Sequence, residues 1–257
     1  FQAVWGRNGD APLCVLAAAT PGDCYYMAIE AVRIAVKYMT PVMLLTDGYV
    51  ANSSEPWQIP NLDELTPFPV KHYDEAEGFH PFLRDDDTLA RVWAVPGTPG
   101  VEHRIGGLEK ARDTGHISYD PRNHHLMTQI RERKILGIAK DLERAKVDQG
   151  DPEGDLLIVG WGSTYGSISQ AVGKLRERGH SVSHLHLRHI WPLPEGLEHI
   201  LRSFNSVLVP ELNNGQLVKL LRAEYLVNAE SLTRVTGQPF RIGGLIEAVE
   251  ERLRNGS

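Results

Sequence analysis

Four groups of residues have types and spacings that could do chemistry. The first is Asp47, Tyr49, Asn52, Ser53 and Glu55, which follow the apolar run Val42-Met43-Leu44-Leu45. Two carboxylates, a phenol and an amide at the carboxyl end of a strand suit acid–base work or the rim of a ligand pocket. The same residues also suit a turn with capping side chains, since Asp47-Gly48 is a common turn pair. The second group is Gly160-Trp161-Gly162-Ser163-Thr164-Tyr165-Gly166, between an apolar run and a helical pattern. Glycines and a helix N-terminus can receive an anion. The spacing GxGxxxG is not the dinucleotide pattern GxGxxG, however, so a tight structural turn is the favoured reading. The third group is His180, His184, His186 and His189. In a strand His184 and His186 share a face and could pair on a metal. A third ligand is missing unless His189 turns back. Neutral, hydrogen-bonded histidines at an interface are favoured, and no metal is expected. Glu102, His103, His116, His124 and His125 lack zincin spacing and are read the same way. The fourth is Glu211, between Val207-Leu208-Val209-Pro210 and Leu212-Asn213-Asn214-Gly215, placed for capping or for docking. No Gly-Xaa-Ser-Xaa-Gly elbow occurs.

These groups need elements to position them. Pro12 to Ala18 is short and apolar, fit for a buried strand. Thr20-Pro21-Gly22-Asp23 opens a helix, with Met27, Ala31, Ile34, Ala35 and Tyr38 on one face. Thr40-Pro41 ends it, and residues 42–45 make the next strand, which implies a parallel βαβ unit. Residues 46–56 read as a polar loop. Residues 56–100 are proline-rich, carry Asp85-Asp86-Asp87 and show no clear period. Asp120 and Pro121 begin a helix with Met127, Ile130, Lys134, Ile135 and Ile138 along one stripe. A polar stretch at 147–154 reads as a domain boundary. Beyond it strands at 155–160, 182–187, 206–209 and 231–235 alternate with helices at 165–178, 194–203, 215–227 and 243–254. That order implies an α/β domain with a mostly parallel sheet.

Composition narrows the function classes. The chain has 257 residues, a net charge of −6, 42% hydrophobic and 23% charged residues. That is ordinary for a globular protein and argues against nucleic-acid binding. Residues 101–150 carry 10 Lys+Arg against 8 Asp+Glu, whereas residues 1–100 carry 6 against 13. The middle stretch therefore reads as a linker or docking surface. Cys14 and Cys24 form no CxxC pair, and two thiols cannot supply the four ligands of an iron–sulfur cluster. A reduced, cytoplasmic protein is the simple reading. No apolar run reaches bilayer length, so no membrane partner is expected. Phe1-Gln2-Ala3-Val4-Trp5 has no initiator Met and no signal-peptide core, and reads as a cut inside a folded domain.

Longer strings carry a resemblance. Residues 6–57 (GRNGDAPLCVLAAATPGDCYYMAIEAVRIAVKYMTPVMLLTDGYVANSSEPW) resemble the last part of the pyrimidine-binding domain of the 2-oxoacid:ferredoxin oxidoreductase α subunit. GTPGVEHRIGGLEK with SYDPRNH resembles the segment that follows it. LLIVGWGSTYG, HLRHIWPLP and VPELNNGQLVKLLRAEYL resemble that family's transketolase-C-terminal-like domain. The two-oxoglutarate type fits better than the pyruvate type. The implied architecture is an incomplete thiamine-pyrimidine-binding-like α/β domain over 1–96. A linker with a helix follows over 97–150, then a transketolase-C-terminal-like α/β domain over 151–257. The implied reaction takes a 2-oxoacid, coenzyme A and oxidised ferredoxin to an acyl-CoA, carbon dioxide and reduced ferredoxin. The implied cofactors are thiamine diphosphate with Mg and a [4Fe–4S] cluster, held mainly by a β subunit. The family's Tyr-Pro-Ile-Thr-Pro-like turn and its Gln-Arg segment with Gly-Pro-Ser-Thr are absent. No catalytic residue is therefore carried across. Asp47, Tyr49, Asn52 and Glu55 stand as candidates for a pocket rim, and oligomerisation is expected. A non-catalytic assembly module and an independent nucleotide-binding α/β protein are the alternative readings.

Overall fold

The computed structural model describes residues 1–255 apart from Thr66, Asp74 and Glu75. Contacts divide the chain into two compact units that alternate along the sequence. The first holds 1–15, 28–43 and 57–141; the second holds 16–27, 44–56 and 142–257.

The regular part of the second unit is a four-stranded sheet. Its strands are β3 (Gly154–Trp161), β4 (Val182–Leu187), β6 (Phe204–Glu211) and β7 (Ala229–Thr233), in the order β4-β3-β6-β7. Every pairing in it is parallel, with Leu157 opposite Ser183, Ile158 opposite Leu208 and Val209 opposite Ser231. Helices α4 (Tyr165–Glu177), α5 (Leu197–Arg202), α6 (Gln216–Tyr225) and α7 (Ile242–Asn255) connect or follow these strands. Ile168, Ala171, Val172 and Leu175 of α4 pack into one core with Leu156, Ile158, Val182, Leu208, Leu245 and Val249. The 3.6-residue spacing read from the sequence is that buried stripe. Gly179 stops α4 in a left-handed conformation, φ 86°.

A smaller sheet has the order β2-β1-β5, built from β1 (Cys14–Ala17), β2 (Val42–Leu45) and β5 (His189–Trp191). All four residues of β1 are buried, and the Ala17 N–H donates to Arg188 O at 2.8 Å. Helix α1 (Asp23–Tyr38) is capped reciprocally: Ala19 N–H donates to Asp23 Oδ2 at 2.8 Å, and Asp23 N–H to Thr20 Oγ1 at 3.2 Å. Met27, Ile34 and Tyr38 of α1 are buried.

The first unit is less regular. Its long helix, α3 (Pro121–Gly137), starts where Asp120 Oδ1 accepts the Arg122 N–H at 2.9 Å, and buries Met127, Ile130 and Ile135. Among its described residues, the stretch from Trp57 to Asp120 holds one 3-10 turn, Leu62–Glu64, and isolated bridges such as Arg84 with Arg91 and Lys110 with Ile117. Side chains fix it to the helices: Trp93 Nε1 donates to Val36 O at 2.9 Å, and Asn123 Nδ2 to Lys110 O at 2.8 Å. Among the described residues, no helix is long and apolar enough to cross a membrane.

Three readings of the elements need correction. The stretch after β2 begins with a short helix, α2 (Gly48–Asn52), because Asp47 supplies an N-cap that a loop reading overlooks. Strand β5 falls between the elements that the sequence marks, at three residues too short to show a period. Helix α5 is six residues, shorter than the expected 194–203, because Pro194-Glu195-Gly196 forms the turn before it.

Candidate functional site

A cavity of about 290 Å³ opens where several strands of the second unit end. Its walls are Ala17, Leu45 to Asp47, Trp161 to Thr164, Leu212 and Asn213. These residues follow or close β1, β2, β3 and β6, at carboxyl ends, where parallel sheets place their ligand crevices.

Asp47 is the charged residue of this lining. Its Oδ1 accepts the Val50 N–H at 2.9 Å and so caps α2. Its Oδ2 accepts the hydroxyl of Ser163, 116 positions away in sequence. Thr164 Oγ1 accepts the Trp161 N–H at 3.1 Å and donates to Trp161 O at 2.7 Å, which holds the glycine turn closed. Gly162 has φ 58°, a conformation costly for other residues. At Gly160 an added Cβ would lie 2.6 Å from Ile168 Cδ1 and 2.8 Å from His186 Nδ1. The glycine there answers a close approach of helix to strand, which is the structural reading of the motif.

Glu211 sits just beneath this lining. It is 0% exposed. Its oxygens accept from Leu217 N at 2.8 Å, Val218 N at 3.1 Å, Asn213 Nδ2 at 3.2 Å and Trp161 Nε1 at 3.3 Å. Asn213 Oδ1 accepts the Gln216 N–H at 2.9 Å. Together these side chains satisfy the first turn of α6, so of the two roles read from sequence Glu211 has the capping one.

Of the sequence candidates, Asp47 lines the cavity. Tyr49 and Asn52 lie on α2, where Tyr49 is exposed and Asn52 Nδ2 donates to Gly48 O at 2.7 Å. Glu55 Oε1 accepts from Thr20 Oγ1 at 2.8 Å and from Gly22 N at 2.5 Å, bracing the turn before α1. Ser163, which bonds Asp47, and Trp161, Leu212 and Asn213, which share its cavity lining, are not among the sequence candidates for this rim. The available signal was positional: each stands at the end of a parallel strand.

His184 and His186 share a face of β4, as the strand period requires. They lie 5.5 Å apart by ring centroid, and the Tyr165 ring packs against both at 5.6 and 5.0 Å. Burial pushes His184 down to about 4, with Arg188 adding to the shift, and pushes His186 well below its usual value. Both are held neutral inside the second unit. Asp148 Oδ2 accepts the His186 N–H at 2.7 Å, and burial raises its carboxyl above the usual range.

Residues 2–119 match the family model described as "Pyruvate flavodoxin/ferredoxin oxidoreductase, thiamine diP-bdg". Residues 154–244 match "Pyruvate:ferredoxin oxidoreductase core domain II". The 2-oxoglutarate oxidoreductase subunit KorA of Mycobacterium tuberculosis is 51% identical over 252 residues, covering 96% of this chain and 38% of that protein. The chain belongs to the 2-oxoacid:ferredoxin oxidoreductase family. Subunit alpha of the 2-oxoacid:ferredoxin oxidoreductase 1 of Aeropyrum pernix is 28% identical over 263 residues, covering 99% of this chain and 40% of that protein. Among solved structures, the 2-oxoglutarate:ferredoxin oxidoreductase from Magnetococcus marinus superposes with a TM-score of 0.92. It is 30% identical and covers 98% of this chain and 44% of that one. The chain thus spans about two fifths of the length of these family members.

The family's cofactors can be tested against the residues present. Cys14 is buried, and burial pushes its thiol up to about 12; Cys24 is the other cysteine. A four-thiolate cluster does not fit this donor set. The cavity's charged lining residue is a carboxylate, so the lining offers no side-chain cation of its own to a diphosphate.

Proposed function

We propose that this chain is part of the α subunit of a thiamine-diphosphate-dependent 2-oxoglutarate:ferredoxin oxidoreductase. The complete enzyme converts 2-oxoglutarate and coenzyme A to succinyl-CoA and carbon dioxide. The two electrons released pass to ferredoxin. The observation that carries this reading is the superposition at a TM-score of 0.92 over 98% of the chain. The structure matched is described as having 2-oxoglutarate, coenzyme A and succinyl-CoA bound. The 51% identity to the Mycobacterium subunit points to the same oxoacid.

In this reading a β subunit holds the diphosphate, Mg and the [4Fe–4S] cluster, and the enzyme works in the cytoplasm. The chain supplies a wall of the assembly and carries no catalytic residue of its own. Asp47 forms the rim of the crevice, where its bond to Ser163 keeps the β2 end and the β3 turn in register. Tyr49, Asn52 and Glu55 support that rim from α2 and the segment after it.

The test is turnover by the complete enzyme, α and β subunits together, with a viologen dye as electron acceptor. Dye reduction is expected to require both 2-oxoglutarate and coenzyme A. A requirement for pyruvate instead overturns the substrate, and no turnover with any 2-oxoacid overturns the enzyme reading.

A further inference from the structure

Three arginines of the first unit, Arg84, Arg91 and Arg131, lie within electrostatic reach of Lys134, and Arg91 and Arg131 also within reach of Arg84. Their hydrogen bonds go mainly to backbone carbonyls. Arg84 Nη1 donates to Phe82 O at 2.9 Å and Arg112 O at 2.8 Å. Arg91 Nη1 donates to Pro81 O at 3.3 Å, with its guanidinium 4.6 Å from the Phe82 ring centre. Lys134 Nζ donates to Met39 O at 3.2 Å. Arg131 meets a carboxylate, Glu109, at 3.3 Å, and that carboxylate is shared with His124. Asp113 adds a weaker offset near Arg84.

Such a cluster is expensive to hold. Burial, then repulsion from Arg84, Arg91 and Arg131, brings Lys134 down to about 8. Burial and Arg91 bring Arg84 down to about 10. Carbonyl dipoles solvate these charges without neutralising them, so the group retains an excess of positive charge. Lys134 and Arg131 line a cavity of about 380 Å³. Its other walls are the segment Asp10 to Pro12, the turn Met39 to Pro41, and Ile135. Asp10 is the acidic member of that lining and is exposed.

We propose that this cavity is a binding site for a phosphate group, held by Lys134 and Arg131 with Arg84 and Arg91 supplying field from behind. A phosphate dianion matches the uncompensated charge. Ammonium and guanidinium are the two side chains that hydrogen-bond phosphate most strongly. The volume leaves room for an organic body on the phosphate.

Calorimetric titration of inorganic phosphate into the intact protein, at fixed ionic strength, tests the site. A saturable one-site isotherm is expected, with acetate giving none. Lys134→Gln and Arg131→Gln each weaken phosphate binding by roughly tenfold. In phosphate-free buffer Lys134→Gln melts at a higher temperature than the parent, because repulsion is relieved. That rise separates a lost site from a misfolded variant, and Arg131→Gln gives a second reading. No isotherm with the parent protein overturns the proposal, as does equal binding of acetate or full phosphate affinity in both variants.

Discussion

Glu211 and the pair His184–His186 occupy the same parallel sheet at nearly the same depth, with exposures of 0%, 0% and 6%. Their surroundings differ completely. Glu211 ends a strand against the first turn of α6 and collects four donors. The histidines sit mid-strand beneath α4 with the Tyr165 ring tilted against His184 and edge-on to His186, and no side-chain partner among the described residues satisfies their ring nitrogens. The buried carboxyl of Glu211 is solvated by donors that a strand's carboxyl end facing a helix N-terminus provides. An imidazole can give up its proton, so it can be buried in an apolar setting at the cost of a lowered pKa. Each group is thus tolerated for a different reason, and each is open to a different attack.

The largest effect is expected from Glu211→Leu. It leaves two α6 N–H groups, the Trp161 indole N–H and the Asn213 amide without their acceptor. The second unit should lose about 3 kcal/mol or more. Hydrogen exchange should show β6 and α6 losing protection first; unchanged exchange there would break the comparison. Glu211→Gln keeps the shape and one acceptor, and should cost about half as much.

Acidification tests the other side. The His184 pKa falls from 6.5 to about 4 on folding. The unfolded chain therefore binds the extra proton first. Stability is full above about pH 6.5 and is lost as the pH falls towards 4, by about 2 kcal/mol at pH 5 from this residue alone. Urea unfolding at pH 7.5 and pH 5 reads the difference. His184→Leu should flatten the dependence, and a variant as acid-sensitive as the parent would assign the slope elsewhere.

Gly160→Ala comes next. Its methyl group meets Ile168 Cδ1 and His186 Nδ1 well inside contact distance. A loss of about 1–3 kcal/mol is expected from overpacking, with the His186 resonance shifted by NMR. Unchanged stability would mean that the imidazole can move aside. The smallest effect belongs to Asn213→Ala, which removes one of four donors to Glu211 and one cap of α6. It should cost about 1 kcal/mol in a thermal or urea melt.

The sequence made one of these two regions easier to read than the other. Glu211 was placed at the junction of strand and helix because Val207-Leu208-Val209 and the Leu212–Gly215 turn are adjacent in sequence. The Asp120-Pro121 start of α3 and the Thr20–Asp23 start of α1 were legible for the same reason: a cap and its helix are neighbours. The shared face of His184 and His186 followed from the strand period, but their burial under Tyr165 did not, since it depends on how α4 crosses β4. The candidate site was half visible. Asp47 stood at a strand end, but its partner Ser163 is 116 residues away, and no local pattern links the two. The cationic cluster was invisible for a related reason. Arg84 and Arg91 come from a stretch without period, and Lys134 read as one more position on a helix stripe.

The alternation of the chain between its two units has a consequence for synthesis. The segments 16–27 and 44–56 belong to a unit whose remaining part, 142–257, is translated much later. At ordinary elongation rates they wait for on the order of ten seconds or more before their neighbours exist. During that time Leu16, fully buried in the folded chain, has no complete native core to enter. The speed of translation from residue 57 onward therefore sets how long the second unit stays incomplete.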